Sequence, residues 1–192
     1  PALERFGLEE TSLIDPTCGS GHFLLGAFER LFEERLRREP GLAPAEAARK
    51  ALDAVFGADI NFIAVAVARF RLTLAYLDKA GFSRLADAPE LPLHVVVADS
   101  LLHNPHLAQQ SFGHLASQSP AAWGGASYAL EDEAAAREVL HRRYAAVVGN
   151  PPYITVKDAV LRERYREMYR SAAGKYSLSA PFCERFFQLG RA

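Results

Sequence analysis

Three apolar runs in this chain each deliver an aspartate, and a segment with helical spacing follows the first two, an alternation that few folds accommodate. Leu13-Ile14 runs into Asp15, Val55 to Ile60 carries Asp59, and Leu93 to Ala98 is followed by Asp99. After the first run, Phe23, Leu24, Ala27, Phe28, Leu31 and Phe32 recur on one helical face. Pro40-Gly41 interrupts that pattern, and Ala43 to Ala54, with Pro44 near its start, predicts a second helix. Ile63 to Lys79 predicts a strongly apolar helix that Gly81 stops. Buried strands alternating with helices imply a parallel sheet with crossover connections and ligands at the carboxyl ends of the strands. The fold class that follows is α/β, a Rossmann-like twisted sheet with helices on both faces. An aspartate at one strand end is, taken singly, as readily the N-cap of the following helix. Three at one edge beside a glycine loop shift the weight toward a binding site.

A fourth strand is predicted over Tyr144 to Gly149, and it delivers Asn150-Pro-Pro-Tyr153 to the same edge. Asn150 offers a side-chain carbonyl, while Pro151 and Pro152 fix φ and carry no N–H, so the turn presents acceptors without competing donors. Tyr153 adds a flat face for stacking. Acceptors beside a stacking face suit the exocyclic amino group of a planar ring, such as the N6 of adenine. Asn-Pro-Pro is also a common turn after a strand. Between the third and fourth strands, 103–130 is irregular and reads as a long surface loop, with helical character over Glu131 to Arg143. A charged helix from Asp158 to Tyr169, a break at Gly174 and an apolar helix from Ser179 to Leu189 follow the turn.

Asp15-Pro16-Thr17-Cys18-Gly19-Ser20-Gly21 lies between a strand and a helix, where glycines let a ligand approach backbone N–H groups at a helix N-terminus. The third glycine of the dinucleotide fingerprint is missing. With Asn150 to Tyr153, this loop resembles the signature of the amino-group DNA methyltransferases that use S-adenosylmethionine. The similarity is greatest to the PglX-type adenine-specific enzymes of BREX phage-defence systems, and extends to Gly174-Lys-Tyr-Ser-Leu-Ser-Ala-Pro-Phe-Cys-Glu-Arg-Phe187. The resemblance implies a Rossmann-like methyltransferase fold and assigns donor binding to Asp15 through Gly21, to Asp59 and Ile60, and to Asp99, Ser100 and Leu101. It assigns base capture and catalysis to Asn150, Pro151, Pro152 and Tyr153. From the residues themselves, Asp15 suits a cationic donor better than a pyrophosphate. Asp59 is placed to accept ribose hydroxyls, and Asp99 to accept from the donor's adenine amino group.

Family members continue into a target-recognition domain, so the chain reads as a catalytic piece of a larger enzyme. Its parts are donor motifs over 13–101, an irregular insertion over 103–130, a catalytic motif over 146–153 and a helical segment over 158–190. The last strands of the sheet are expected to be missing, leaving an edge beside the fourth strand for self-association. Double-stranded DNA is the expected partner of the full-length enzyme, along with other defence-system proteins, and the isolated piece is expected to be inactive. Lys157, Arg162, Arg166 and Lys175, interleaved with Tyr165 and Tyr169, either track a phosphate backbone or form a solvated helix face with local ion pairs. Net charge is −1, from 22 basic and 23 acidic residues, so nothing global marks a nucleic-acid surface. The histidines form no metal pattern, and Cys18 and Cys183 are too few for a disulfide framework. Cys183 is expected to fill core, and it lacks the proline-cysteine order of cytosine-C5 enzymes. A cytoplasmic location and no membrane span are expected. Two alternatives remain open: a protein-glutamine methyltransferase, whose loop reads differently at Pro16-Thr-Cys18, and a donor-binding module without turnover.

Overall fold

The computed structural model describes residues 1–105 and 133–191. Most of the insertion expected over 103–130, and the expected helix start at Glu131, lie outside these residues. Within them the order is α1 (Ala2–Glu10), β1 (Leu13–Asp15), α2 (His22–Arg38), α3 (Pro44–Asp53), β2 (Val55–Asp59) and α4 (Phe62–Ala80). Then come β3 (His94–Val97), α5 (Glu133–Leu140), β4 (Ala146–Val147), α6 (Ala159–Met168) and α7 (Ser179–Leu189). The sequence pattern does not forecast α1, which is bent where Gly7 leaves helical geometry. The fourth strand is shorter than expected, because beyond Val148 the chain turns into the prolines and leaves the ladder.

All pairings described are parallel, in the order β3-β2-β1-β4. Side chains alternate across the pleat, and each face collects its own core. Leu13, Val55 and Val95 meet α2, α3 and α4 through Leu24, Phe28, Ala48, Ala51, Val65 and Leu72. Ile14, Phe56 and Ala58 meet α5 through Ala136, Val139 and Leu140. Both faces are therefore covered, as a parallel sheet requires. Just ahead of β4, Tyr144 forms an isolated parallel bridge with Gly190, after α7. Tyr144 N–H donates to the Leu189 carbonyl and Arg191 N–H to the Tyr144 carbonyl, each at 2.8 Å.

Several helical positions face outward. On α4, Ile63, Val67, Phe70 and Leu74 are exposed. On α7, Phe182, Arg185 and Leu189 point inward, so Cys183 and Phe187, turned to the opposite side, face solvent. The expectation that Cys183 fills core is thus corrected: the i, i+3, i+7 spacing that buries its neighbours rotates it out. No helix among the described residues is long and apolar enough to cross a membrane.

A third core, formed by Leu101, Val156, Tyr165, Tyr169, Ala172, Tyr176 and Phe182, joins the segment after β3 to the helices after the fourth strand. Arg185 reinforces this junction. Its side chain is 1% exposed. Its Nε donates to the Ser100 carbonyl at 3.0 Å, and Nη2 to the carbonyls of His103 and Leu140, both at 2.6 Å. Leu140 closes α5, so the cation also faces the negative end of that helix. Replacing Arg185 with leucine leaves three carbonyls without this donor, and a loss of about 3 kcal/mol or more is expected. Urea unfolding measures it; a change under about 1 kcal/mol would show that water satisfies those carbonyls equally well.

Candidate functional site

The strand register places the two motifs side by side. Ile14 pairs with Val147, and Val148 N–H donates to the Ile14 carbonyl at 3.0 Å. Gly149 consequently lies against the first loop. A Cβ built there would stand 2.8 Å from Thr17 Oγ1, 3.0 Å from Asp15 Oδ1 and 2.7 Å from Phe186 Cζ. Only a residue without a side chain lets the turn leave β4 at this height. Beyond it Pro151 is buried and acts as an anchor, while Asn150 and Pro152 are exposed. Tyr153 is 76% exposed.

Each of the three strand-end aspartates closes its own loop, and two also reach across the sequence. Asp15 Oδ1 accepts from Thr17 N–H at 2.9 Å and from its hydroxyl at 3.2 Å. Asp59 accepts from Asn61 N–H on Oδ1 and from Gly19 N–H on Oδ2, both at 2.8 Å. Asp99 Oδ1 accepts from Leu101 N–H at 2.9 Å, and Oδ2 from the Tyr165 hydroxyl at 2.6 Å. The helix-cap reading fails for Asp15 and Asp59, since Gly21 and Asn61 stand at the starts of α2 and α4; all three carboxylates instead bond amides of the loop that follows their strand. Asn61, not Asp59, caps α4, its side chain accepting from Ile63 and Ala64 N–H.

The loop over 16–21 is held from several sides. Cys18 N–H donates to the Ala58 carbonyl at 3.0 Å, and the Ser100 hydroxyl to the Pro16 carbonyl at 2.7 Å. Arg71 Nη1 reaches the Ser20 carbonyl at 2.8 Å from α4. Gly21 ends the loop with φ of 82°, and its missing Cβ would approach Ala68 Cβ to 2.9 Å. Among the described residues no side chain caps α2, which starts directly after Gly21.

Of the residues expected to touch a donor, Thr17, Gly19 and Asp59 are half-buried, and Ser20 and Ile60 exposed; these form the accessible surface. Asp15, Pro16, Cys18, Gly21, Asp99, Ser100 and Leu101 are buried and form its support. Asp15 is 1% exposed, so its carboxylate does not itself line the accessible surface. Burial pushes the Asp15 carboxyl up to about 6, against the two Thr17 bonds and with some help from the Asp59 charge. Burial also pushes the Cys18 thiol well above its ordinary range, which makes it packing and not a nucleophile.

The basic residues after the turn are not one surface. Arg166 donates to the Gly174 carbonyl at 2.7 Å and pairs with Glu163 at 2.5 Å. Arg162 is half-buried, while Lys157 and Lys175 are exposed. Tyr165 and Tyr169, which interleave with those arginines in sequence, are buried. Lys157 lines a cavity of about 470 Å³ beside the turn, with Ile154, Val156, Asp158, Leu161 and Leu178. The residues that sequence reasoning missed are Tyr165, Tyr169, Arg185 and Arg71. The spacing of Leu161, Tyr165, Met168 and Tyr169 was the available signal for an inward face.

Residues 53–192 match the model of the Eco57I restriction-modification methylase family. This chain belongs to that family. Over its whole length it is 47% identical to "Adenine-specific methyltransferase PglX" of Streptomyces coelicolor, of which it spans 16%. Over 95% of its length it is 26% identical to "Type II methyltransferase M.BstVI" of Geobacillus stearothermophilus, spanning 27% of that protein. Solved structures share the family's fold at low identity. The ATP-dependent Type ISP restriction-modification enzyme LlaBIII bound to DNA aligns over 96% of this chain and 12% of its own, with TM-score 0.60 and 16% identity. The DrdV-DNA complex aligns over 93% of this chain and 16% of its own, with TM-score 0.56 and 15% identity.

The raised Asp15 pKa carries a sign for stability. Protonated Asp15 is favoured in the folded chain, so its stabilising contribution is full below about pH 4 and is lost as pH rises through about 6. Asp15→Asn is expected to remove that loss. Its advantage over wild type should grow by about 2–3 kcal/mol between pH 4 and 7. Parallel denaturation at the two pH values measures it, and an advantage independent of pH would show that Asp15 titrates normally.

Proposed function

We propose that this chain is the donor-binding and catalytic core of a DNA adenine-N6 methyltransferase that takes its methyl group from S-adenosylmethionine. The observation that carries the reading is the packing of Gly149 against Thr17 and Asp15, which brings an acceptor-rich turn next to a glycine loop. The residues present fit the donor. Gly19, Ser20 and the uncapped start of α2 offer backbone amides, Asp59 is placed for ribose hydroxyls, and Ile60 and Phe62, each 43% exposed, offer apolar contact to a ring. When bound, the donor supplies a methyl group activated by a sulfonium. Asp99, with Leu101 N–H and the Tyr165 hydroxyl already on it, supports that side of the site.

The chain's own task is alignment. The Asn150 side-chain carbonyl and the Pro151 carbonyl accept from the N6 amino group, drawing its lone pair away from the ring. Tyr153 stacks on the base, which must leave the duplex to reach the turn. Supporting this are the exposure of Tyr153 and Asn150 at the strand-end edge and membership in a restriction-modification methylase family. In this reading the full-length protein works in the cytoplasm on double-stranded DNA, in phage defence or restriction-modification. Lys157 and Lys175 are exposed cations in the segment after the turn. Other defence proteins, and self-association along the β4 edge, are further partners.

The test uses the full-length protein with labelled donor and duplexes with and without adenine. Asn150→Ala should abolish transfer with donor affinity nearly kept. Tyr153→Ala should weaken base capture by about 1–3 kcal/mol, while Tyr153→Phe stays mild. Equal transfer to a duplex lacking adenine, or to a glutamine peptide, would refute the substrate.

A further inference from the structure

The segment just after β3 is fixed by side chains from the helices beyond the catalytic turn. Tyr165, on α6, gives its hydroxyl proton to Asp99 Oδ2 at 2.6 Å. One turn later the Tyr169 hydroxyl donates to the Leu101 carbonyl at 2.6 Å, and Arg185 Nε reaches the Ser100 carbonyl from α7. Tyr165 is 3% exposed and Asp99 6%, so this bond is shielded from water and holds the carboxylate in one orientation. Val156, three residues past Tyr153, is buried in the same core as Leu101 and Tyr165. The donor-side carboxylate and the chain leaving the catalytic turn are thereby parts of one packed unit.

We propose that Tyr165 is a positioning residue: by its hydroxyl bond to Asp99 it sets the donor-side carboxylate and couples donor binding to the placement of the catalytic turn. This rests on the donor reading given above. The hydroxyl occupies Asp99 Oδ2 from the α6 side, while Leu101 N–H occupies Oδ1. Without the hydroxyl, Oδ2 loses this tie to α6, while Leu101 and Leu102 N–H keep their hold on Oδ1. The amino group of a bound adenosyl moiety then meets a carboxylate that is less firmly set on its Oδ2 side. Conversely, a nucleic acid drawing on the catalytic turn shifts Val156 and α6, and the shift reaches Asp99 through the same bond. Coupling of this kind is reciprocal in binding free energy.

Calorimetry and steady-state kinetics on the full-length protein test it with Tyr165→Phe, S-adenosylmethionine and a duplex DNA substrate. The donor Kd and KM should rise about three- to tenfold, less than the roughly ten- to hundredfold for a charged hydrogen bond lost directly to the donor, with kcat at saturating donor nearly unchanged. Wild type should bind donor more tightly with DNA present, and that ratio should fall toward one in the variant. Tyr144→Phe is the control for stability alone. It removes an equally buried hydroxyl, bonded to the Val139 carbonyl at 2.5 Å, and should lower the Tm while leaving donor KM and the coupling ratio alone. Wild-type donor binding with an unchanged KM in Tyr165→Phe would overturn the inference and leave the donor reading standing. A matching KM rise in Tyr144→Phe, or a wild-type donor affinity indifferent to DNA, would overturn it too. Failure of wild type to bind donor would overturn both.

Discussion

Arg185 gives its protons to carbonyls on two separate parts of the chain, Ser100 and His103 after β3 and Leu140 at the end of α5. A cation this buried is costly unless its donors are satisfied. Burial lowers its pKa from the ordinary guanidinium value, yet arginine stays protonated across the range in which proteins fold. The charge therefore persists and needs its carbonyls in place. The loop after β3, the close of α5 and the helix carrying Arg185 satisfy one another's polar groups. Without that arrangement the third core would be a lid of aromatic residues with no fixed register over the sheet.

The strand-end edge follows the opposite economy. Asp15 is kept buried at a cost to stability near neutral pH, whereas Asp59 divides its oxygens between two backbone amides and keeps part of its surface. Two acids at equivalent ends of neighbouring strands thus do different work. Asp15 shapes the loop from below, and Asp59 both fastens the loop and faces the solvent side. Gly149, squeezed against Asp15 and Thr17, shows how little space separates the two motifs.

The strand-helix alternation, the parallel sheet and the edge with its acids were legible because burial on both faces leaves long apolar runs and because Gly and Pro punctuate them. Gly81 ends α4 in the left-handed conformation as expected, and Pro44 opens α3. The residues 2–10 were not legible as a helix, since their apolar positions are sparse and Gly7 bends them. Within the site, the strand-end acids could be named, but not which of them reach the surface. That division depends on packing between residues far apart in sequence, such as Leu101 with Tyr169. Tyr165 and Tyr169 were missed because arginine and glutamate surround them; two tyrosines four apart bury one face even of a highly charged helix. Cys183 failed for the converse reason, an apolar helix still having an outer side.

The bond from Tyr165 to Asp99 spans 66 positions, and that from Arg185 to Ser100 spans 85. Chains are made at roughly 5–20 residues per second, so the strand-end carboxylate leaves the ribosome several seconds before the hydroxyl and guanidinium that hold its segment. The sheet's first three strands and the helices between them precede it and pack among themselves. During synthesis, a nascent chain halted near the catalytic turn would display the glycine loop and the acids at its strand ends, with the segment after β3 still unfastened.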